Sequence, residues 1–224
     1  MGYKEKFIEF MIASEALAFG DFVTKSGRKT PFFINTGSYK TGEQISLLGG
    51  FYADCIIENI RDGFDVLYGP AYKGIPLAVS AGIALFKNHG INIPYCFNRK
   101  EEKDHGEGGS LIGYKLKDGD RILIVEDVIT AGTSLRESIP LLKAQAGVKI
   151  AGLIVSVNRM ERGQGEKTAL TEAEEEFGIK TMSIATIKDI TAHLHGKKIN
   201  GKTVLDDGIK KRIDEYMEQY GAKS

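Results

Sequence analysis

The stretch of residues 121–134 constrains the fold more than any other. It reads Arg-Ile-Leu-Ile-Val-Glu-Asp-Val-Ile-Thr-Ala-Gly-Thr-Ser, so four consecutive apolar residues run into two carboxylates and a small loop. An uninterrupted apolar run predicts a strand covered on both faces. Ser134 and Glu137 have capping-box spacing, which predicts the start of a helix. The apolar residues that recur at helical spacing after it are Leu135, Ile139, Leu142 and Ala146.

The loop of this stretch has the chemistry of a phosphate site. Backbone N–H groups at a helix N-terminus attract anions, and Gly132 allows close approach to the backbone. Its hydroxyl donors are Thr130, Thr133 and Ser134. Glu126 and Asp127 beside it could hold ribose hydroxyls or a Mg²⁺ shared with the ligand. The alternative is an ordinary strand end with an acidic turn.

The rest of the chain predicts one α/β fold. From residue 65 onward, short apolar runs alternate with helical patterns, which predicts a mostly parallel central sheet flanked by helices. Strands are predicted near 66–68, 91–97, 111–114, 150–157 and 182–185. Residues 1–40 predict an amphipathic helix and a hairpin with a basic turn, forming a small N-terminal subdomain over a core of residues 41–224.

Charge and cysteine content limit the function classes. Lys+Arg and Asp+Glu balance at 30 each among 224 residues, so the net charge does not indicate nucleic acid or membrane binding. Cys55 and Cys96 each lie in an apolar run, which predicts two buried thiols in a reducing compartment. With no signal-peptide core or membrane-length run, the chain is predicted to be cytoplasmic.

Two further loops could bind anions. Residues 69–74, Gly-Pro-Ala-Tyr-Lys-Gly, follow a predicted strand and could form an anion nest with Lys73, or be a turn with a surface lysine. Residues 99–109 contain three cations and a histidine within seven residues, followed by three glycines. Such a loop could close over a polyanion, although most charged runs are solvated surface. Arg99 and Lys100 at a strand end favour the functional reading.

Two other features are ambiguous on the residues alone. Arg159 after the strand at 150–157 could pair with a carboxylate, but spacing alone favours a surface arginine. The run Phe32-Phe33-Ile34 could stack on a flat ring, but by itself it reads as core. The acidic run from Glu172 to Glu176 reads as a solvated helix face.

Taken together, the motifs resemble the type I phosphoribosyltransferases and, among them, the orotate phosphoribosyltransferases. The first motif is 121–134, with Glu126-Asp127 in place of the usual two aspartates. The others are 25–29 (Lys-Ser-Gly-Arg-Lys), 69–76 (Gly-Pro-Ala-Tyr-Lys-Gly-Ile-Pro) and 99–108 (Arg-Lys-x-x-Lys-Asp-His-Gly-Glu-Gly). The resemblance extends to about residue 195.

This resemblance implies an enzyme of pyrimidine biosynthesis that needs Mg²⁺. It would transfer 5-phosphoribose from phosphoribosyl diphosphate to N1 of orotate, giving orotidine 5'-phosphate and diphosphate. It also implies a hood completed by the C-terminal segment, and a homodimer whose catalytic loop reaches into the partner's site. Mg²⁺ would be held mainly by the substrate diphosphate and ribose hydroxyls, with no certain protein ligand.

The resemblance also implies the site residues. The catalytic set would be Arg99, Lys100, Lys103, His105 and Asp127. Orotate would contact Lys25, Phe33, Ile34, Thr130 and Arg159, although the family usually has an aromatic where Ile34 stands. Phosphoribosyl diphosphate would contact Lys25, Tyr72, Lys73, Arg99, Lys100, Lys103, His105, Glu126, Asp127, Val128, Ile129, Thr130, Ala131, Gly132, Thr133 and Ser134.

Two rival functions share the 121–134 motif. A phosphoribosyltransferase for a purine or another base would have less use for Arg159 and the basic turn as a carboxylate clamp. A non-catalytic regulator that binds phosphoribosyl diphosphate should lack the catalytic loop and carry a nucleic-acid surface. This chain keeps Lys103 and His105 and has no net positive charge, so the orotate enzyme is the preferred hypothesis.

Overall fold

The computed structural model describes residues 1–24, 27–61, 63–100, 110–129, 132–199 and 201–223. The helices are α1 (Tyr3–Ala13), α2 (Gly42–Ile60), α3 (Gly74–His89), α4 (Thr133–Gln145), α5 (Ala169–Phe177), α6 (Ile187–Leu194) and α7 (Asp207–Tyr220). The strands are β1 (Leu17–Val23), β2 (Lys29–Ile34), β3 (Val66–Tyr68), β4 (Tyr95–Asn98), β5 (Leu111–Gly113), β6 (Arg121–Val125), β7 (Lys149–Asn158), β8 (Lys180–Thr186), β9 (Lys198–Ile199) and β10 (Lys202–Thr203). Across these ranges, none of the helices has the length and apolar character needed to cross a membrane.

A six-stranded sheet with the order β5-β4-β3-β6-β7-β8 forms the centre of the fold. All neighbouring strands are parallel except the edge pair β4–β5. The predicted mostly parallel α/β sheet is therefore confirmed. The strand predicted from residue 91 begins only at Tyr95, because Pro94 before it has no N–H to donate to a ladder.

Both faces of β6 are buried, as its continuous apolar run predicts. Ile122 and Ile124 pack in one apolar cluster with side chains from α4 and α5. Leu123 and Val125 pack in a second cluster on the opposite face, with side chains from α1, α2, α3 and α6. Successive strand residues point to opposite faces, so a strand between two helical layers must be apolar throughout.

The predicted hairpin is present as an antiparallel pair, with Val23 opposite Lys29. Lys25 and Ser26, in its turn, lie outside the described residues. The C-terminal helix α7 packs on β2, where the Phe32 and Tyr216 rings meet edge to face at 5.7 Å. The predicted division at residue 40 stays a prediction.

The two cysteines are free and buried, as predicted. Burial raises the pKa of Cys55 to about 11 and that of Cys96 to about 12. Both thiols are therefore protonated near neutral pH and are poor nucleophiles.

Helix α2 packs closely on helix α3 at Gly49. A Cβ atom added there would lie 2.5 Å from the Ser80 carbonyl oxygen, which belongs to the α3 backbone. At the adjacent Gly50 the nearest atom to such a Cβ would be Asn88 Nδ2 at 4.0 Å. The two neighbouring glycines therefore differ in a way that stability measurements can detect.

We predict that Gly49→Ala destabilises the protein by about 1–3 kcal/mol, because the α3 backbone would have to move away. Gly50→Ala, the matched control, should stabilise it by up to ~1 kcal/mol, because alanine favours the helix. Urea unfolding of both variants measures the difference. Equal changes in the free energy of unfolding would contradict this account of the α2–α3 contact.

Candidate functional site

The loops after β3 and β6 meet at the carboxyl edge of the sheet. The chain leaves β3 for β4 on one side and later enters β6 on the other, so β3 and β6 flank a topological switch point. Lys73 Nζ, from the first loop, lies 2.8 Å from Asp127 Oδ2, from the second. Lys73 is mostly exposed, whereas the Asp127 side chain is only 9% exposed. The sequence motifs at 69–76 and 121–134 thus converge on one crevice.

Asp127 is held by contacts from several directions. Thr36 Oγ1 donates to Asp127 Oδ2 at 2.7 Å, and the Val128 N–H donates to Oδ1 at 2.8 Å. The Asp127 carbonyl accepts from the N–H and hydroxyl of Ser156 on β7. Sequence reasoning missed Thr36, although it follows the singled-out Phe32-Phe33-Ile34 run by two residues.

The Glu126 carboxylate is bonded within the 121–134 stretch, where its Oε2 accepts from the Asp127 N–H at 3.3 Å. Its Oε1 accepts a hydrogen bond from Ser134 Oγ at 2.5 Å. Burial raises the pKa of Glu126, and the nearby Asp127 charge acts in the same direction. Tyr52 of α2 donates to the Glu126 carbonyl at 2.7 Å and anchors the strand end. The two adjacent acids therefore occupy different environments.

The capping box predicted at Ser134 is wrong. Helix α4 begins at Thr133, and its N-cap is Gly132 in the left-handed conformation with φ of 72°. Glycine adopts this conformation without steric cost, and it has no side chain that could cap the first turn. The Ser134 hydroxyl is engaged with Glu126 instead.

A small cavity of about 110 Å³ lies beside this helix N-terminus. Its lining includes Glu126, Val128, Ile129, Gly132, Thr133 and Ser134. The first turn of a helix leaves backbone N–H groups without intrahelical partners, so the cavity can accept an anion. Thr130 and Ala131, also predicted in this loop, lie outside the described residues.

The segment that follows β4 places the side chain of Lys100 beside Tyr72 at the crevice. Lys100 Nζ lies 5.3 Å from the centroid of the exposed Tyr72 ring. The Ala71 N–H donates to Asn98 Oδ1 at 2.7 Å, which fastens the first loop to the end of β4. Arg99 follows directly, and its N–H donates to the Ser110 carbonyl at 2.9 Å. Lys103 and His105 lie outside the described residues.

The expectation that the whole Phe32-Phe33-Ile34 run is core is wrong for Phe33. Phe32 is fully buried, while Phe33 is 43% exposed and stacks on Phe22 with ring centroids 5.4 Å apart. Successive residues of a strand face opposite sides, so only alternate aromatics enter the core. Ile34 is partly buried. Phe33 thus presents a flat ring to ligand or solvent.

Arg159 is not the surface arginine that spacing alone favoured. Its side chain is 18% exposed, and the guanidinium lies 4.4 Å from the centroid of the Phe32 ring. Its Nε and Nη2 both donate to Glu161 Oε1. Arg159 is buried because the end of β7 packs against the hairpin and α7. The local sequence does not reveal this arrangement.

Arg159 lines a cavity of about 330 Å³, together with Arg28, Ile129, Asn158, Glu161 and Arg162 among others. Ile129 also lines the small cavity at the helix N-terminus. The two cavities therefore share Ile129 in their linings. The sequence analysis included Arg28 in the 25–29 motif without assigning it a role, and it did not single out Glu161.

The sequence predicted a solvated acidic face on α5, but three of its carboxylates contact other parts of the chain. Glu172 accepts from the Gln164 and Gly165 N–H groups, and Glu174 accepts from Thr181. Glu176 forms an ion pair with Arg136 on α4. Glu172 therefore holds the loop that leads from Arg162 to α5, while Glu174 and Glu176 connect α5 to β8 and α4.

The described acidic, histidine and cysteine side chains include no group of three or more arranged to hold a metal ion. The carboxylates at the crevice are Glu126 and Asp127 alone among the predicted site residues. A cation at this crevice would therefore need most of its ligands from a bound substrate.

Comparison with known proteins identifies relatives along the whole chain. The model of the phosphoribosyl transferase domain matches residues 35–204. Orotate phosphoribosyltransferases of Clostridium acetobutylicum and Clostridium beijerinckii are 59% and 60% identical over 221 residues, covering 99% of this chain and of each relative. The crystal structure of the Francisella tularensis orotate phosphoribosyltransferase is 33% identical, covers 97% of this chain and 100% of its own, and has a TM-score of 0.83.

We predict that Glu126→Gln raises the free energy of unfolding at pH 7. Because burial raises the folded-state pKa above the ordinary 4.5, ionisation of Glu126 costs stability once pH exceeds that value. The gain should shrink as pH falls below it, where glutamate is protonated in both states. Urea unfolding between about pH 4 and pH 7 measures this.

The exposed Glu218 on α7 provides the matched control, and Glu218→Gln should leave the pH profile nearly unchanged. A Glu126→Gln variant that is less stable than the parent protein at pH 7, or whose stability difference is constant with pH, would contradict the assigned environment.

Proposed function

The chain belongs to the orotate phosphoribosyltransferase family, and from that premise we propose how its side chains carry the reaction. It is an enzyme that transfers 5-phosphoribose from phosphoribosyl diphosphate to orotate, giving orotidine 5'-phosphate and diphosphate in pyrimidine biosynthesis. The observation that carries the site assignment is the meeting of the β3 and β6 loops at Lys73 and Asp127, beside two cavities that share Ile129.

The 5-phosphate of the donor binds at the N-terminus of α4. Backbone N–H groups and the hydroxyls of residues 130–134 are suited to a phosphate dianion. The Ser134 hydroxyl now donates to Glu126, so a bound phosphate would compete with the Glu126 carboxylate for this donor. We propose that Glu126 then turns outward to the ribose hydroxyls, where it joins Asp127.

The diphosphate binds on the Lys73 side of the crevice. Tyr72 and Lys73 lie there with Lys100, and Arg99 follows β4 at the same edge. Displacement of diphosphate passes through an oxocarbenium-like state with negative charge growing on the leaving group. Cations placed before the reaction stabilise this charge. Lys103 and His105 complete the set in this proposal and close the site against water.

Orotate binds in the cavity of about 330 Å³ that Arg159 lines. A carboxylate suits the guanidinium of Arg159. The exposed ring of Phe33 is suited to stacking on a flat base, but among the described residues it does not line this cavity, so this contact needs the ring to turn toward the base. Ile34, Lys25 and Thr130 complete the proposed contacts. The hairpin that carries Phe33 and the helix α7 packed on it would form the hood over this base.

The donor set at the crevice fits Mg²⁺ carried in with the substrate. Magnesium keeps several waters and usually binds through one or two carboxylates plus substrate phosphates. Glu126 and Asp127 are the side chains that would face it. When bound, Mg²⁺ would neutralise charge on the departing diphosphate.

We also propose a cytoplasmic homodimer. The exposed apolar side chains on neighbouring elements suit a second copy of the chain; they are Leu47 on α2, Ile83 and Phe86 on α3, and Tyr95 on β4. Ile83 and Phe86 are three residues apart on one helix face, so they form one patch. The free buried thiols suit a reducing compartment.

The substrate assignment is tested by following loss of orotate absorbance with phosphoribosyl diphosphate, with and without Mg²⁺. We expect turnover with orotate and Mg²⁺, and at least ~100-fold less product with adenine or hypoxanthine, which lack the carboxylate. Equal turnover with a purine base would contradict the orotate assignment. Full activity without a divalent cation would contradict the magnesium proposal.

Shared active sites are tested with hybrid dimers of two inactive variants, isolated through two different tags. Lys103→Ala should lower kcat by about 10²–10³-fold, with a smaller effect on KM, because its charge acts on the leaving group. Asp127→Asn should also be nearly inactive. If the loop serves the partner's site, each hybrid holds one intact site and should show about half of the wild-type activity.

The exposed Lys115 gives a control, since Lys115→Ala should leave kcat unchanged. Inactive hybrids would show that each subunit uses its own loop, and near-normal turnover of the Lys103→Ala homodimer would remove Lys103 from the catalytic set.

A further inference from the structure

Glu161 receives hydrogen bonds from three separate parts of the chain. Arg159, at the end of β7, donates to Oε1 from Nε at 3.0 Å and from Nη2 at 2.5 Å. Tyr216 on α7 donates its hydroxyl to the same oxygen at 2.9 Å. Arg28, beside the hairpin turn, donates to Oε2 at 2.7 Å. The Glu161 side chain is 11% exposed, so these contacts replace most of its hydration.

The charges of this cluster do not balance. Arg28 and Arg159 supply two positive charges, and Glu161 supplies one negative charge. In the part of the chain that the structure describes, no other carboxylate forms an ion pair with either guanidinium. A partly buried surplus positive charge attracts one further anion. The cavity that all three residues line is therefore suited to a ligand with a single carboxylate.

The contacts also determine how Arg159 is oriented. The Phe32 ring supports one face of its guanidinium, and Glu161 engages its Nε and Nη2. Among the described residues, Nη1 of Arg159 has no hydrogen-bond acceptor. Arginine that is held on one edge can present its remaining N–H groups in a fixed direction. Without Glu161 the side chain would lose both its partner and its orientation.

Tyr216 is suited to act as a permanent donor to Glu161. Burial raises the pKa of the Tyr216 hydroxyl, and the adjacent Glu161 charge raises it further. The hydroxyl therefore stays protonated throughout the neutral range. The ring of Tyr216 also packs edge to face on Phe32, so one α7 residue supports both neighbours of Arg159.

We propose that Glu161 is a positioning residue that orients Arg159 toward the carboxylate of the base, with Arg28 and Tyr216 holding Glu161 in place. This inference rests on the proposed function, in which Arg159 contacts orotate. Glu161 itself does not touch the reacting atoms, so its effect falls on selection of the base. The alternative, in which Glu161 competes with the ligand carboxylate for Arg159, predicts the opposite change in orotate affinity.

The test measures kcat, KM for orotate and KM for phosphoribosyl diphosphate in Glu161→Gln, which removes the charge and keeps the size. We expect KM for orotate to rise about 10-fold, with KM for phosphoribosyl diphosphate changing less than ~2-fold. Tyr216→Phe keeps the ring packing and removes one donor, so it should raise KM for orotate by a smaller factor, about 2–3-fold. Glu166→Gln, at an exposed ion pair with Lys223, is the matched control and should change neither constant.

Arg159→Ala separates this inference from the proposed function. If Arg159→Ala leaves KM for orotate unchanged, the proposed orotate site is wrong. If Arg159→Ala raises it and the folded Glu161→Gln variant does not, only the positioning role is wrong. A fall of KM for orotate in Glu161→Gln would also overturn the proposal, in favour of competition. Should Glu161→Gln fail to fold, an unchanged KM for orotate in Tyr216→Phe overturns it.

Discussion

The ion pair between Lys73 and Asp127 is the contact on which the rest of the site depends. It spans the crevice where the chain order of the parallel sheet reverses, so it joins two loops that belong to different halves of the fold. A buried carboxylate is costly unless its charge and hydrogen bonds are satisfied. Thr36 and Lys73 satisfy the Asp127 carboxylate, and Thr36 lies two residues after the hairpin strand β2. These contacts therefore connect the two loops of the crevice to the residues that follow the hairpin.

Glu126 and Asp127 are adjacent in the sequence, but their side chains enter different surroundings. Glu126 accepts from the Ser134 hydroxyl in the loop, whereas Asp127 faces Lys73 across the crevice. The longer side chain of glutamate, with one more methylene than the usual aspartate, lets Glu126 reach Ser134. The burial that raises its pKa is the kind of local cost that proteins accept at functional sites. In the proposed mechanism, substrate phosphate and ribose hydroxyls relieve that cost.

Two residues from outside the matched domain support the arginine that lies within it. The domain match covers residues 35–204, while Arg28 precedes it and Tyr216 follows it. Both contact Glu161, which lies within the match and orients Arg159. In the proposed function, the matched domain supplies the donor site and Arg159, and the two terminal segments hold Glu161 beside that arginine.

The sequence by itself determined the alternation of strands and helices, the buried strand at 121–125, and the two loops that meet at Lys73 and Asp127. Local periodicity encodes these features, and the carboxyl ends of parallel strands must share an edge. Only the tertiary structure decided that Glu161 joins Arg28, 133 residues away, and Tyr216, 55 residues away. It also decided that the N-cap of α4 is a glycine in the left-handed conformation and that Phe33 points outward. Such contacts depend on how distant elements pack against each other, and no local sequence pattern encodes this packing.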